Sequence, residues 1–172
     1  PPFGKGRNLK LSKKSDRDAA EFYEMYYEYV EENPKDGFDL GVVFLENAVR
    51  SIKEGGRFGI VLSNSIASNN TWAFARKWLM KKVRLVALFD LPPNVFAETN
   101  VNTTIIIGYK PSQGKLDKLI SEDYSVFVRE VNKVGYVKKT SNRNVVFDKD
   151  YKLNEDTFET VINDDGESMV NE

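Results

Sequence analysis

The chain has no cysteine and no histidine among its 172 residues. The first absence excludes disulfides and thiolate metal ligation. The second removes imidazole general bases, Ser-His-Asp triads and the usual zinc sites from the residues at hand. The remaining carboxylates show no metal-ligand spacing, so no metal site is expected. No apolar run nears the roughly 18 residues of a membrane-spanning helix, and no signal peptide is visible, which points to a cytoplasmic chain without a membrane role. Net charge is also nearly absent, at −1 from 25 basic and 26 acidic residues. The length suits about one domain.

Charge is nonetheless unevenly placed. Lys5, Arg7, Lys10, Lys13 and Lys14 all precede the first acid, Asp16. This cationic stretch suits a phosphate backbone; a solvated loop is the plain alternative. Glu155, Asp156, Glu159, Asp164, Asp165, Glu167 and Glu172 lie in a stretch without a single Lys or Arg, and residues 151–172 are expected to be a flexible acidic tail.

Hydrophobic spacing organises the middle of the chain. Ala19, Ala20, Tyr23, Tyr26, Tyr27 and Val30 predict one helix over about 16–32, with its tyrosines in the core or an interface. Val42, Leu45, Ala48, Val49 and Ile52 predict a second over about 39–53, stopped by Gly55-Gly56 as a left-handed C-cap. Residues 57–62 (RFGIVL) then read as a short strand buried on both faces. Ser63-Asn64-Ser65 breaks it, and Asn70 or Thr71 can cap a helix carrying Trp72, Ala75, Trp78 and Leu79. Residues 85–89 (LVALF) form the next strand, which makes a βαβ unit. Only residues 90–102 separate it from 103–109 (TTIIIGY). That is too short for a helical crossover, so the third strand must return antiparallel. Further on, 124–131 predicts a strand that 132–136 turns into a hairpin with Val137, making 111–150 a β-rich extension. Lys138, Lys139 and Arg143 read as a solvated turn, with DNA contact as the alternative.

The opening Pro1-Pro2-Phe3 carries chemistry of its own. Two prolines fixed near φ −65° and lacking N–H groups end a strand and leave carbonyls the ladder need not claim. The Phe3 ring would project from that turn, where a flat heterocycle could stack on it. An ordinary turn with an apolar plug is the other reading.

The tripeptide does not stand alone. Pro1-Pro2-Phe3-Gly4, Glu54 to Leu62 (EGGRFGIVL), Arg76-Lys77-Trp78-Leu79, Leu85 to Phe96 (LVALFDLPPNVF) and Val101 to Ile107 (VNTTIII) follow one another in that order. Together they resemble the adenine-specific (N6) DNA methyltransferase family, most of all the modification subunit of type I restriction-modification systems. The resemblance covers about residues 1–110. It implies an α/β fold, the C-terminal half of a Rossmann-like S-adenosylmethionine-dependent methyltransferase sheet with parallel strands and a final antiparallel strand. The chain would begin inside the family's Asn-Pro-Pro-Phe motif, one residue late.

The resemblance further implies that Pro1, Pro2 and Phe3 are catalytic, with the Pro1 carbonyl accepting from the target amine and Phe3 stacking on a flipped base. Lys5, Arg7, Ser63 and Asn64 would meet DNA. The family often has Pro where Ser63 stands, so this turn is less stiff; it could line the base pocket or merely cap the next helix. S-adenosylmethionine would be held by a preceding N-terminal half, because no Gly-x-Gly turn follows a predicted strand here. Expected partners are double-stranded DNA and specificity and restriction subunits or domains. A chain of this extent is expected to be inactive alone. With the edge of the 57–62 strand bare, it is also expected to self-associate. A same-fold methyltransferase acting on RNA or a protein glutamine, and a non-catalytic interaction module, are the other readings.

Overall fold

The computed structural model describes residues 8–32, 37–97, 99–141 and 144–172. Pro1, Pro2, Phe3, Lys5, Arg7 and Arg143 lie outside these residues. In chain order the elements are β1 (Asn8–Leu9), α1 (Lys14–Ala20), α2 (Glu24–Glu32), β2 (Phe38–Asp39), α3 (Leu40–Ser51), β3 (Arg57–Ser63), α4 (Asn64–Ser68), α5 (Ala73–Lys82), β4 (Arg84–Leu91), β5 (Thr103–Tyr109), α6 (Gln113–Ser121), β6 (Phe127–Glu130), β7 (Tyr136–Ser141) and β8 (Asn144–Lys149). Among them no helix is long and apolar enough to cross a membrane.

The main sheet has the order β3-β5-β4-β6. β5 pairs antiparallel with β3 on one side and with β4 on the other, from Arg57↔Tyr109 to Ser63↔Thr103 and from Arg84↔Tyr109 to Leu91↔Thr103. The two βαβ strands are therefore parallel to each other, but the later antiparallel strand separates them. This is the mixed α/β architecture expected from the sequence.

One face of the sheet carries Phe58, Ile60, Leu62 and Ile106, which join Val42, Leu45 and Val49 of α3 and Phe74, Trp78 and Leu79 of α5 in a single core. Apolar burial of such side chains, at about 25 cal/mol per Å², holds the layers together. Tyr29 fills the corner. It stacks on Trp72 at a 6.0 Å centroid distance and donates its hydroxyl to the Gly37 carbonyl at 2.7 Å.

Several expectations change. The single helix over 16–32 is two, α1 and α2, because the buried Glu46 carboxylate of α3 accepts the backbone N–H groups of Glu24 (2.8 Å) and Met25 (3.0 Å). Those are helix-starting donors that a continuous helix would have used internally. The tyrosine face shifts accordingly: Tyr26 is buried and Tyr27 is exposed.

Gly55 has φ +78° but does not cap a helix, since α3 ends at Ser51. It sits instead in a turn closed by Gly56 N–H to Lys53 C=O at 2.8 Å, and its own N–H reaches the Lys110 carbonyl at 2.7 Å. β3 is not buried on both faces. Its burial alternates, with Arg57 and Gly59 exposed and Phe58, Ile60 and Leu62 buried, as in a sheet whose helices pack on one side.

The predicted hairpin across 132–136 is absent. β6 lies parallel against β4, from Ala87↔Phe127 to Asp90↔Glu130, and β7 pairs with β8 as a separate hairpin. Residues 151–172, read from sequence as a flexible acidic tail, carry bridges Tyr151↔Val170, Leu153↔Thr160 and Ile162↔Ser168.

Candidate functional site

Parallel β3 and β4 end at the same edge of the sheet, and β5 starts there. In open α/β sheets ligands bind outside the carboxyl ends of the strands, so this edge is the place to look. β3 breaks at Ser63, and the chain turns into the one-turn helix α4 with Asn64 at its start. The Asn64 N–H is tied to the Asn102 carbonyl at 2.8 Å, which docks α4 against the entry of β5.

The Asn64 side chain is held at both ends. Its Nδ2 donates to Asp90 Oδ1 and to Thr104 Oγ1, both at 3.2 Å, while its Oδ1 accepts the Ser68 hydroxyl at 2.9 Å. The Thr104 hydroxyl in turn donates to Asp90 Oδ1 at 2.6 Å, a short bond of the kind a carboxylate acceptor favours. Asp90 and Thr104 come from the ends of β4 and β5, and Asn64 from the first residue of α4, directly after β3. They weld those ends with polar contacts at a place where the backbone ladders stop. Thr104 is buried, and Asn64 and Asp90 are half-buried, so water competes only partly with this network.

A cavity of about 250 Å³ opens beside it, lined by Asn64, Asp90, Leu91, Pro92, Pro93 and Asn102, among others. It is smaller than the roughly 300–1,000 Å³ of pockets for drug-sized ligands. Its rim is the loop from Pro92 to Asn102. Pro92-Pro93 stiffens the loop's start, Asn94 takes a left-handed φ of 71°, and Phe96 bridges Thr99. Asparagine is among the few side chains that tolerate that backbone conformation.

Of the residues singled out from sequence, Asn64 stands in the network. Ser63 sits at the same edge with its hydroxyl 3.0 Å from that of Ser65. Pro1, Pro2, Phe3, Lys5 and Arg7 lie outside the described residues. Asp90 and Thr104 were not singled out. Their signal was an acid at a strand's carboxyl end directly before Leu91-Pro92-Pro93, and a threonine at the start of the returning strand. Of the basic residues read as a solvated turn, Lys138 binds oxygens of the rim loop and Lys139 pairs with Asp148 at 2.7 Å. Among the described residues no three acidic side chains cluster so as to hold a metal ion.

A parallel pair split by an antiparallel strand, with helices on the packed face, is a fold this chain shares with a solved protein described as a class I S-adenosylmethionine-dependent methyltransferase. A class I methyltransferase of that type from Listeria monocytogenes superposes with a TM-score of 0.52 at 16% identity, over 69% of this chain and 33% of that one. The chain belongs to the N-6 DNA methylase family, whose model matches residues 1–171.

Lower similarities reach the type I restriction enzyme EcoKI M protein (TM-score 0.40, 21% identity, 43% of this chain and 16% of that one). They also reach a modification subunit assigned to a type I restriction enzyme of Vibrio vulnificus YJ016 (TM-score 0.38, 16% identity, 79% and 31%). The chain thus spans about a third or less of the length of these solved proteins. No curated protein matches it in sequence.

Proposed function

We propose that this chain is the base-facing part of an adenine-specific DNA methyltransferase that modifies adenine N6 in a type I restriction-modification system. The family match over residues 1–171 carries the reading, and the polar edge at Asn64, Asp90 and Thr104 agrees with it.

The target amine's lone pair is delocalised into the purine ring, so it needs acceptors for its protons rather than a strong base. The Pro1 carbonyl would accept one of them, Pro2 would hold the turn and Phe3 would stack on the extruded base. Stacking offsets the few kcal/mol that extrusion costs. Lys5 and Arg7 would neutralise phosphates. Ser63 and Asn64, at the same sheet edge as the cavity, would face the displaced nucleotide or its neighbours. This division of work needs neither histidine nor cysteine.

S-adenosylmethionine, the donor of the electrophilic methyl group in such enzymes, does not fit the described residues. Among them no Gly-x-Gly turn follows a strand at the carboxyl edge. The donor would be held elsewhere in the whole protein. We accordingly read the chain alone as inactive, and read specificity and restriction subunits or domains as its partners.

The test is methyl transfer by the full-length protein carrying this chain. Labelled S-adenosylmethionine is supplied with duplex DNA, RNA or a protein extract, and the products are resolved by mass spectrometry. N6-methyladenine in DNA is the expected product, reduced by Phe3→Ala and Asn64→Ala. Label appearing only in RNA or in protein glutamine overturns the proposal.

A further inference from the structure

The β7–β8 hairpin belongs to a separate two-stranded sheet, yet it grips the rim of the site. The Lys138 ammonium has three protons and meets three oxygens, all from the rim loop: the Phe96 carbonyl at 2.9 Å, the Asn100 Oδ1 at 3.0 Å and the Thr99 carbonyl at 3.3 Å. Among the described residues it has no carboxylate partner within salt-bridge distance. Among the described residues its charge is directed at loop dipoles. Two residues earlier on the same strand, and so on the same face, the Tyr136 hydroxyl donates to the Val95 carbonyl at 2.9 Å. The Phe147 ring sits edge-on to Tyr136 at 5.1 Å and limits its rotation.

The intervening residues face the other way. Val137 is exposed, and Lys139 pairs with Asp148 across the hairpin. One face of β7 therefore reaches Val95, Phe96, Thr99 and Asn100, while the backbone ladder with β8 maintains the hairpin itself. The loop it holds starts just after Asp90 and ends just before Thr103 and Thr104. Its restraint thus bears on both halves of the Asp90–Thr104 contact and on the prolines that line the cavity.

We propose that the β7–β8 hairpin is a clamp that fixes, through Val95, Phe96, Thr99 and Asn100, the loop whose two ends, Pro92-Pro93 and Asn102, line the cavity, with Lys138 and Tyr136 as positioning residues. Four donor–acceptor contacts from one strand face replace the ladder that the connection over residues 92–102, between antiparallel strands, cannot provide. The clamp's existence stands on these contacts. Its consequence for methyl transfer rests on the function proposed above.

Hydrogen exchange of the full-length protein, resolved by peptide mass spectrometry, tests it in Lys138→Met, Lys138→Arg and Tyr136→Phe. Expected is acceleration of about tenfold or more in peptides spanning 94–101 for Lys138→Met, without change in α3 or α5, because the loss is local rather than global. Tyr136→Phe should show a smaller acceleration in the same peptides. Lys138→Arg, which keeps charge and donors, should exchange more slowly than Lys138→Met.

In methyl transfer, Lys138→Met should lower kcat and leave the KM for S-adenosylmethionine unchanged. Unaltered 94–101 exchange overturns the clamp even if the wild type methylates DNA, and so does acceleration spread evenly over the protein. A wild type that methylates nothing, but shows the local acceleration in the variants, refutes the function and supports the clamp. If Lys138→Met does not fold, Tyr136→Phe and Lys138→Arg decide by the same peptides.

Discussion

Thr103 and Thr104 are adjacent on β5, both buried, and point to opposite faces of the sheet. Replacing each by valine makes the same chemical change in two environments. Thr104 donates to Asp90 at 2.6 Å and accepts from Asn64 at 3.2 Å. Thr104→Val removes both bonds and leaves a half-buried carboxylate one donor short. Hydrogen bonds to charged groups contribute about 1.5–3 kcal/mol, and partial access of water to Asp90 brings the expected loss to the lower part of that range, about 1.5–2 kcal/mol.

The Thr103 hydroxyl has no hydrogen-bond partner among the described residues. Thr103→Val removes a buried polar group that makes nothing in return, and should be neutral or stabilising by up to about 1 kcal/mol. The assay is equilibrium urea unfolding followed by the fluorescence of Trp72 and Trp78. For an urea m-value of about 1–3 kcal/mol/M, the two midpoints should separate by roughly 0.5–1 M or more, with Thr104→Val the lower. Equal midpoints, or a Thr103→Val variant weaker than Thr104→Val, would refute the hydrogen-bond reasoning.

Two further outcomes follow from the packed side. Glu46→Gln keeps the shape of the buried side chain but loses its charge and one of two acceptors for the Glu24 and Met25 N–H groups; it should cost about 1.5–3 kcal/mol in the same unfolding experiment, and a neutral effect would remove Glu46 as the cause of the α1–α2 break. Asp39, the N-cap of α3, has its carboxyl raised above 3.8, burial opposing ionisation more than the Gly41 and Val42 N–H groups favour it. The stability linked to a raised carboxyl is fully present below the unfolded pKa and is lost as pH rises through the folded one. Asp39→Asn keeps the cap, so it should match the wild type near pH 3.5 and gain on it as pH rises to 7; a variant that falls behind the wild type over that rise contradicts the sign.

The strands were legible because their signals are local. Residues 57–62, 85–89 and 103–109 are runs of β-branched and apolar residues bounded by turns, and the short 90–102 connection dictated the antiparallel return. What sequence concealed depends on distant groups. Tyr23, Tyr26 and Tyr27 continue the period of Ala19 and Ala20 without interruption; the break between them is imposed by Glu46, more than twenty residues away. Gly55 does carry the left-handed φ that its position suggested, but it serves a turn before β3 rather than the helix end.

The site divides the same way. Asn64 could be flagged from its place after a strand, whereas its partners Asp90 and Thr104 acquire meaning only when β5 brings three strand ends together. Lys138 looked like a surface lysine because nothing near it in sequence anticipates carbonyls some forty residues earlier.

The placement of β5 has a consequence for how the site comes into being. β3 and β4 share no backbone ladder, so neither can template the other during synthesis. Their register is set only when the last of the three strands slots between them. Asn64 and Asp90 therefore remain unassociated ends until that insertion, and Thr104 arrives as the piece that completes both the sheet and the polar weld in one event. Such non-local closure is slow relative to hairpin formation. The polar lining that Asn64, Asp90 and Thr104 share is therefore complete only with β5 in place.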